Sequence, residues 1–164
     1  MQTVLDDIKR RIFWVVARTC FAFYRRFPLF GTLRGSIGII QREDKFLAIH
    51  RNDGRGVCLP GGISRWREAE EETLYREIRE ETGLSIRGKE FKVKYYSEGE
   101  VPCIISVFEV QASGEPRNSW EGSAQWNTVA EMEPRMLLSQ RPVLELMRKM
   151  STNAPARLRG RNGN

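Results

Sequence analysis

The chain has 164 residues with a formal net charge of +6, 40% hydrophobic and 29% charged, the size of one globular domain able to bury a core unaided. Its three cysteines are odd in number, no CxxC pair exists and His50 is the single histidine. That argues against a disulfide framework, a structural zinc site and Cys–His catalysis, and fits a reducing cytoplasm. Residues 1–30 carry six Lys/Arg against Asp6 and Asp7, a net +4. Arg157, Arg159 and Arg161 give residues 151–164 a net +3, which leaves −1 for residues 31–150. Any pull towards RNA or an anionic membrane therefore belongs to the ends.

Taken in chain order, Ile12 to Tyr24 reads IFWVVARTCFAFY between basic flanks. Thirteen residues split by Arg18 are too few to span a bilayer, and the acids before them make a poor signal peptide. Val4, Leu5, Ile8, Ile12, Val15, Val16, Thr19, Ala22 and Phe23 recur at helical spacing, which predicts an amphipathic N-terminal helix within 1–30. Its apolar stripe is expected to be covered by protein, in its own domain or in a homodimer, in preference to a membrane surface. GSIGIIQR and KFLAIHR flank Glu43-Asp44 as a hairpin, and Leu59-Pro60-Gly61-Gly62 is a turn signal. Glu70 to Thr82 reads as a helix ended by Gly83. FKVKYYSE and CIISVFEV read as strands, 113–123 as a loop and 126–129 as a short strand. A last helix is expected from a Ser139 cap to Met150, with Pro142 in its first turn. Residues 151–164 have little to bury and are expected to be a disordered basic tail. The pattern predicts a mixed sheet with helices on its faces over residues 31–150.

Seven acids crowd into Gly62 to Leu84, GISRWREAEEETLYREIREETGL. A salt-bridged solvent face is one reading, because Glu72–Arg76 and Arg76–Glu80 are i,i+4 pairs. Glu77, Glu80 and Glu81, however, share one stripe of the helix, beside the apolar Leu74 and Ile78. Three crowded carboxylates repel one another unless a cation joins them, and an all-oxygen set suits Mg2+ or Mn2+.

This segment resembles the signature of the Nudix hydrolases. Gly62, Glu68, Arg76, Glu77, Ile78, Glu80, Glu81, Gly83 and Leu84 match it without a mismatch, a coincidence of roughly 10⁻⁸ per window on ordinary composition. The resemblance implies an α/β/α sandwich and Mg2+-dependent cleavage of a pyrophosphate bond. The nucleotide would be a diphosphate joined to another moiety, a nucleotide sugar or ADP-ribose for example, or else a triphosphate. A non-catalytic nucleotide-binding module is the reading from another class, although such modules usually lose box glutamates. The resemblance assigns Glu77, Glu80 and Glu81 to the metal or to activating water, with Glu68 as an outer ligand or orienting group. A glycine carbonyl at Gly61 or Gly62 would complete the metal shell, and Arg76 would orient a carboxylate. Glu121, in WEGSAQW before Trp126, fits the later loop glutamate of many members. Arg51, after the strand FLAIH, is a candidate phosphate contact. Trp66, between Arg65 and Arg67, could stack on a base or pack against the N-terminal segment. Most members have glycine where this chain has Arg67.

Overall fold

A computed structural model describes residues 12, 15, 16, 19, 20, 22–24, 32–98 and 102–159. Seven strands form one mixed sheet: β1 Leu33–Arg42, β2 Lys45–Arg51, β3 Val57–Cys58, β4 Gly61–Ile63, β5 Ser85–Ser97, β6 Cys103–Ser113 and β7 Gly122–Asn127. Along the main path the order is β3-β2-β1-β6-β5, with β4 on β1 and β7 on β2. The β1–β6 pair is parallel and the other pairs are antiparallel. β1 lies at the centre and is buried on both faces, as its unbroken run SIGII requires.

Each face carries its own core. On one, Ile40, Leu47, Phe108 and Val110 meet Leu74 and Ile78 of the helix α1, Glu70–Thr82. On the other, Ile37, Ile39, Ile105 and Val107 meet Val143, and Leu144 and Met147 of α3, Leu144–Arg159. The expected α/β/α sandwich is thus present. A short α2, Val129–Met132, capped by Thr128, closes the second face with the buried Met132.

α1 begins and ends where spacing predicts. Glu70, Glu71 and Glu72 fill its first turn, where acids favour the helix dipole. The Glu72 carboxylate accepts from the Ala69 amide at 2.9 Å. Gly83 ends it in the left-handed region at φ 70°, its amide donating to the Arg79 carbonyl at 3.0 Å. The N-terminus of α1 is pinned to the sheet. Ser106 donates to the Glu70 carboxylate at 2.8 Å, Lys94 pairs with it at 2.6 Å, and Ser36 donates to the Glu70 carbonyl at 2.6 Å. Gly38 on β1 lets the helix lie close, since a β-carbon there would stand 2.7 Å from Ile78 Cδ1 and 3.3 Å from Leu74 Cδ1.

Several boundaries differ from expectation. β5 starts at Ser85, six residues early, and takes in two register shifts, at Ile86/Gly88 and Phe91/Val93. β7 begins at Gly122, within the expected loop. Ser139 caps no α-helix: Leu138–Val143 is a 3-10 helix containing Pro142, and α3 starts only at Leu144. Residues 151–159, expected as disordered tail, continue α3 to Arg159. The buried Leu144 and Met147 anchor its start, and Ala154, Ala156 and Leu158 are good helix formers. Residues 160–164 lie outside the described residues.

So do most of residues 1–30, Val4, Leu5 and Ile8 among them. The described residues between 12 and 24 are helical, and Ile12, Val15, Val16 and Phe23 are exposed. Among the described residues, Ile12, Val15 and Val16 have no cover from their own domain, one of the two expected protein covers. Among the described residues, no helix is long and apolar enough to cross a membrane.

The close approach at Gly38 sets a first expectation. Gly38→Ala should cost about 1–3 kcal/mol through overpacking between β1 and α1, read as a lower urea midpoint with an unchanged slope.

Candidate active site

The site lies where the loop from β4 to α1 faces the middle of α1, and Arg76 organises it. Its guanidinium grips Glu68 with two bonds, Nε to Oε1 at 2.7 Å and Nη2 to Oε2 at 2.8 Å. Nη1 reaches Glu77 at 2.6 Å and Glu80 at 3.4 Å, and Nη2 donates to the Ile63 carbonyl at 3.3 Å. Glu68 also accepts from the Arg65 amide at 2.8 Å and the Thr73 hydroxyl at 3.1 Å. Arg76 above all holds the Glu68 carboxyl down at about 2, and Glu68 in turn raises Arg76 above its usual range.

The carboxylates of the stripe occupy different surroundings. Glu80 is half exposed and pairs with Arg65 at 3.3 Å at the solvent edge. Glu77 is largely buried and lies against the Gly62 Cα, where a β-carbon would overlap its carboxylate. Glycine is required there for that contact. Glu81 is 4% exposed and accepts from the Gly61 amide at 2.7 Å.

Glu121 joins this group from the far loop, within hydrogen-bonding reach of Glu81. Burial holds the Glu81 carboxyl well above the usual carboxylate range. Repulsion from Glu121 and Glu77 pushes the same way, against the Gly61 amide. Burial also raises Glu77, opposed by Arg76 and reinforced by Glu121 and Glu80. Three carboxylates therefore gather with too little positive charge. Among the described residues, no three metal-ligating side chains form a ready-made cage. Here Glu77 leans on Arg76, and Glu81 on Gly61 and Glu121. The crowding, the burial and the all-oxygen donors fit a hard divalent cation.

Glu121 is held by partners that spacing does not reveal. The Asn52 amide donates to the Glu121 carbonyl at 2.9 Å, and Asn52 Nδ2 donates to the Trp120 carbonyl at 3.0 Å. Gly122 then pairs with Arg51 across β2 and β7, so closely that a β-carbon would overlap the His50 carbonyl. Arg51 itself is tied to Asp53, Nη2 to Oδ2 at 2.8 Å, with a side chain only 12% exposed. Despite burial, Arg51 and Arg55 together hold Asp53 at about 2. Behind the site, burial and then Glu81 push the Cys58 thiol up to about 12, so it is no nucleophile. His50 pairs with Asn127 at 2.8 Å, a link between strands.

Trp66 is 78% exposed. Beside it, Arg67 adopts φ 61°, the left-handed conformation that glycine supplies at no cost. The loop therefore keeps its path without the usual glycine, and the arginine bears the strain.

A family profile described as the NUDIX domain matches residues 32–147. The chain is 33% identical over 102 residues to a MutT-like protein of Streptomyces ambofaciens, covering 60% of this chain and 66% of that protein. It is 38% identical over 81 residues to an ADP-ribose pyrophosphatase of Methanocaldococcus jannaschii, covering 44% of this chain and 48% of that protein. It thus spans about two thirds and about half of the lengths of these relatives. Among solved structures, a MutT NUDIX hydrolase from Burkholderia pseudomallei superposes with a TM-score of 0.63 at 23% identity, over 70% of this chain and 96% of that one. That likeness shows the fold.

Two expectations follow from this geometry. Arg67→Gly should stabilise the protein by about 0.5–1 kcal/mol, the left-handed strain relieved less the entropy that glycine adds to the unfolded chain, seen as a higher melting temperature. Glu68→Gln should destabilise the protein at neutral pH. Because folding lowers the Glu68 pKa, its contribution is present above about 4.5 and is lost as pH falls through about 2. Denaturant titrations should show the variant and the parent converging as pH drops across that window.

Proposed function

The chain belongs to the Nudix family, and on that premise we propose that it is a Mg2+-dependent pyrophosphohydrolase, with Mn2+ as a possible substitute. Its substrate would be a nucleoside diphosphate joined to another moiety, in the class of ADP-ribose and the nucleotide sugars. The observation that carries this reading is the gathering of Glu77, Glu81 and Glu121, buried or part-buried and short of positive charge, beside Gly61 and Gly62, which form the start of β4 and not the expected turn. The name of the Methanocaldococcus relative supports the substrate class. The MutT-like relative from Streptomyces supports a second reading, a nucleoside triphosphate pyrophosphatase. A non-catalytic module has less support, since every box carboxylate is kept. The free thiols of Cys20, Cys58 and Cys103 suit a reducing cytoplasm.

In this reading Glu77, Glu80 and Glu81 hold the cation, with Glu121 and a Gly62 carbonyl completing its surroundings. When bound, the cation neutralises the phosphates and lowers the pKa of the attacking water. Arg76 fixes the Glu77 carboxylate through its 2.6 Å bond, and Glu68 fixes Arg76. Glu121 arrives on a loop and has Glu81 beside it, a position suited to taking the proton of the water. The water oxygen bonds to one phosphorus and the anhydride bond breaks. The products are a nucleoside monophosphate and a phosphorylated remainder. Arg51, tied to Asp53, would steady the strand end and is the candidate contact for a substrate phosphate. Trp66, exposed beside the box, is free to stack on a base.

The test is Glu81→Gln against a panel of ADP-ribose, nucleotide sugars and nucleoside triphosphates, with product identification. Turnover should fall by ~10²-fold or more. The variant should melt higher than the parent in chelator, because an acid with a raised pKa destabilises the fold as pH rises above about 4.5. It should also lose most of the stabilisation that Mg2+ gives the parent. Unchanged turnover would remove the metal assignment, and cleavage of triphosphates alone would favour the second reading.

A further inference from the structure

The N-terminal residues carry a surface that the site does not use. Ile12, Val15 and Val16 are helical and 58%, 64% and 55% exposed. Helical spacing puts all three on one face, together with Thr19, Cys20 and Phe23. The one hydroxyl on that face is already satisfied, since Thr19 donates to the Val15 carbonyl at 2.9 Å. Cys20 is an exposed thiol that behaves as a small hydrophobe. An apolar face of this kind calls for a cover.

Charge decides which cover fits. From residue 12 to residue 30 the chain has Arg18, Arg25 and Arg26 and no acid, and Lys9, Arg10 and Arg11 stand directly before it. A second copy of the segment would bring one +4 stretch against another, with only Asp6 and Asp7 to offset it. The body at residues 31–150 has a net charge of only −1 and offers little attraction. An anionic bilayer supplies both halves of the match: an acyl boundary for the aliphatic face and headgroup charge for the flanks. The apolar run Ile12 to Tyr24 is thirteen residues split by Arg18, too short to span a bilayer, so the seat is the headgroup plane. We propose that the helical segment bearing Ile12, Val15 and Val16 is an interfacial anchor that docks the protein on an anionic lipid surface.

The full chain can be sedimented with vesicles of phosphatidylcholine alone, or with about a third phosphatidylglycerol, while light scattering reads the mass of the free protein. Val15→Ser/Val16→Ser removes the apolar contact at constant charge. Lys9→Gln/Arg10→Gln/Arg11→Gln removes charge at constant apolar surface. The parent should partition at least ~10-fold better onto the anionic vesicles and lose that preference at high salt. Each variant should lose binding by ~10-fold at an unchanged melting temperature. No partition, or equal partition onto both vesicles, would overturn the proposal. So would undiminished binding by Val15→Ser/Val16→Ser. A dimer that Val15→Ser/Val16→Ser dissociates, in a protein that ignores vesicles, would replace the lipid with a second copy.

Discussion

The Arg76 guanidinium ties the loop, the helix and the end of β4 into one site. A helix carrying Glu77, Glu80 and Glu81 on one stripe concentrates negative charge on a single side, and Arg76 partly offsets it from within that helix. Its fork does more than neutralise. By gripping Glu68 it ties the incoming loop to the helix, and by reaching the Ile63 carbonyl it ties the end of β4 as well. A lysine could supply the charge but not this geometry, because only a planar fork holds a carboxylate bidentately while reaching three further groups. The sheet supplies the counter-anchor, with Ser36, Ser106 and Lys94 converging on Glu70 at the other end of the first turns.

What Arg76 leaves unbalanced is as informative as what it balances. It stands closest to Glu68 and Glu77, while Glu81 has only an amide and another acid for company. Carboxylate pairs held this way are unfavourable when ionised, and they persist because the surrounding packing fixes both. The fold thus keeps a local electrostatic deficit at the one place where Gly61 and Gly62 bring backbone against carboxylate. Natural proteins tolerate such conflicts mainly at functional sites.

The parts legible in the sequence were those whose signal is local. α1 runs from Glu70 to Thr82 as periodicity predicts, because Leu74, Ile78 and Gly83 mark its buried face and its end within one short window. The β1–β2 hairpin was equally plain, two apolar runs around Glu43-Asp44. Ser85 to Glu90 was not, because SIRGKE alternates weakly and its place in β5 is set by pairing with β6. Pro142 reads equally well in the first turn of an α-helix and within a 3-10 turn, and the packing of Leu144 and Met147 decides between them. In the site, the box was visible through spacing, and Glu121 through its place before Trp126. Asn52 had no such signal, since its role comes from contacts with the segment entering β7.

The link between Asn52 and the Glu121 loop reaches beyond the position of one acid. Two hydrogen bonds from a single asparagine clamp a turn after β2 to the segment entering β7, and Gly122 leaves no slack between them. Neither loop can lengthen or shorten alone without drawing Glu121 away from Glu81. Insertions in relatives should therefore come in matched pairs at these two places or be absent from both.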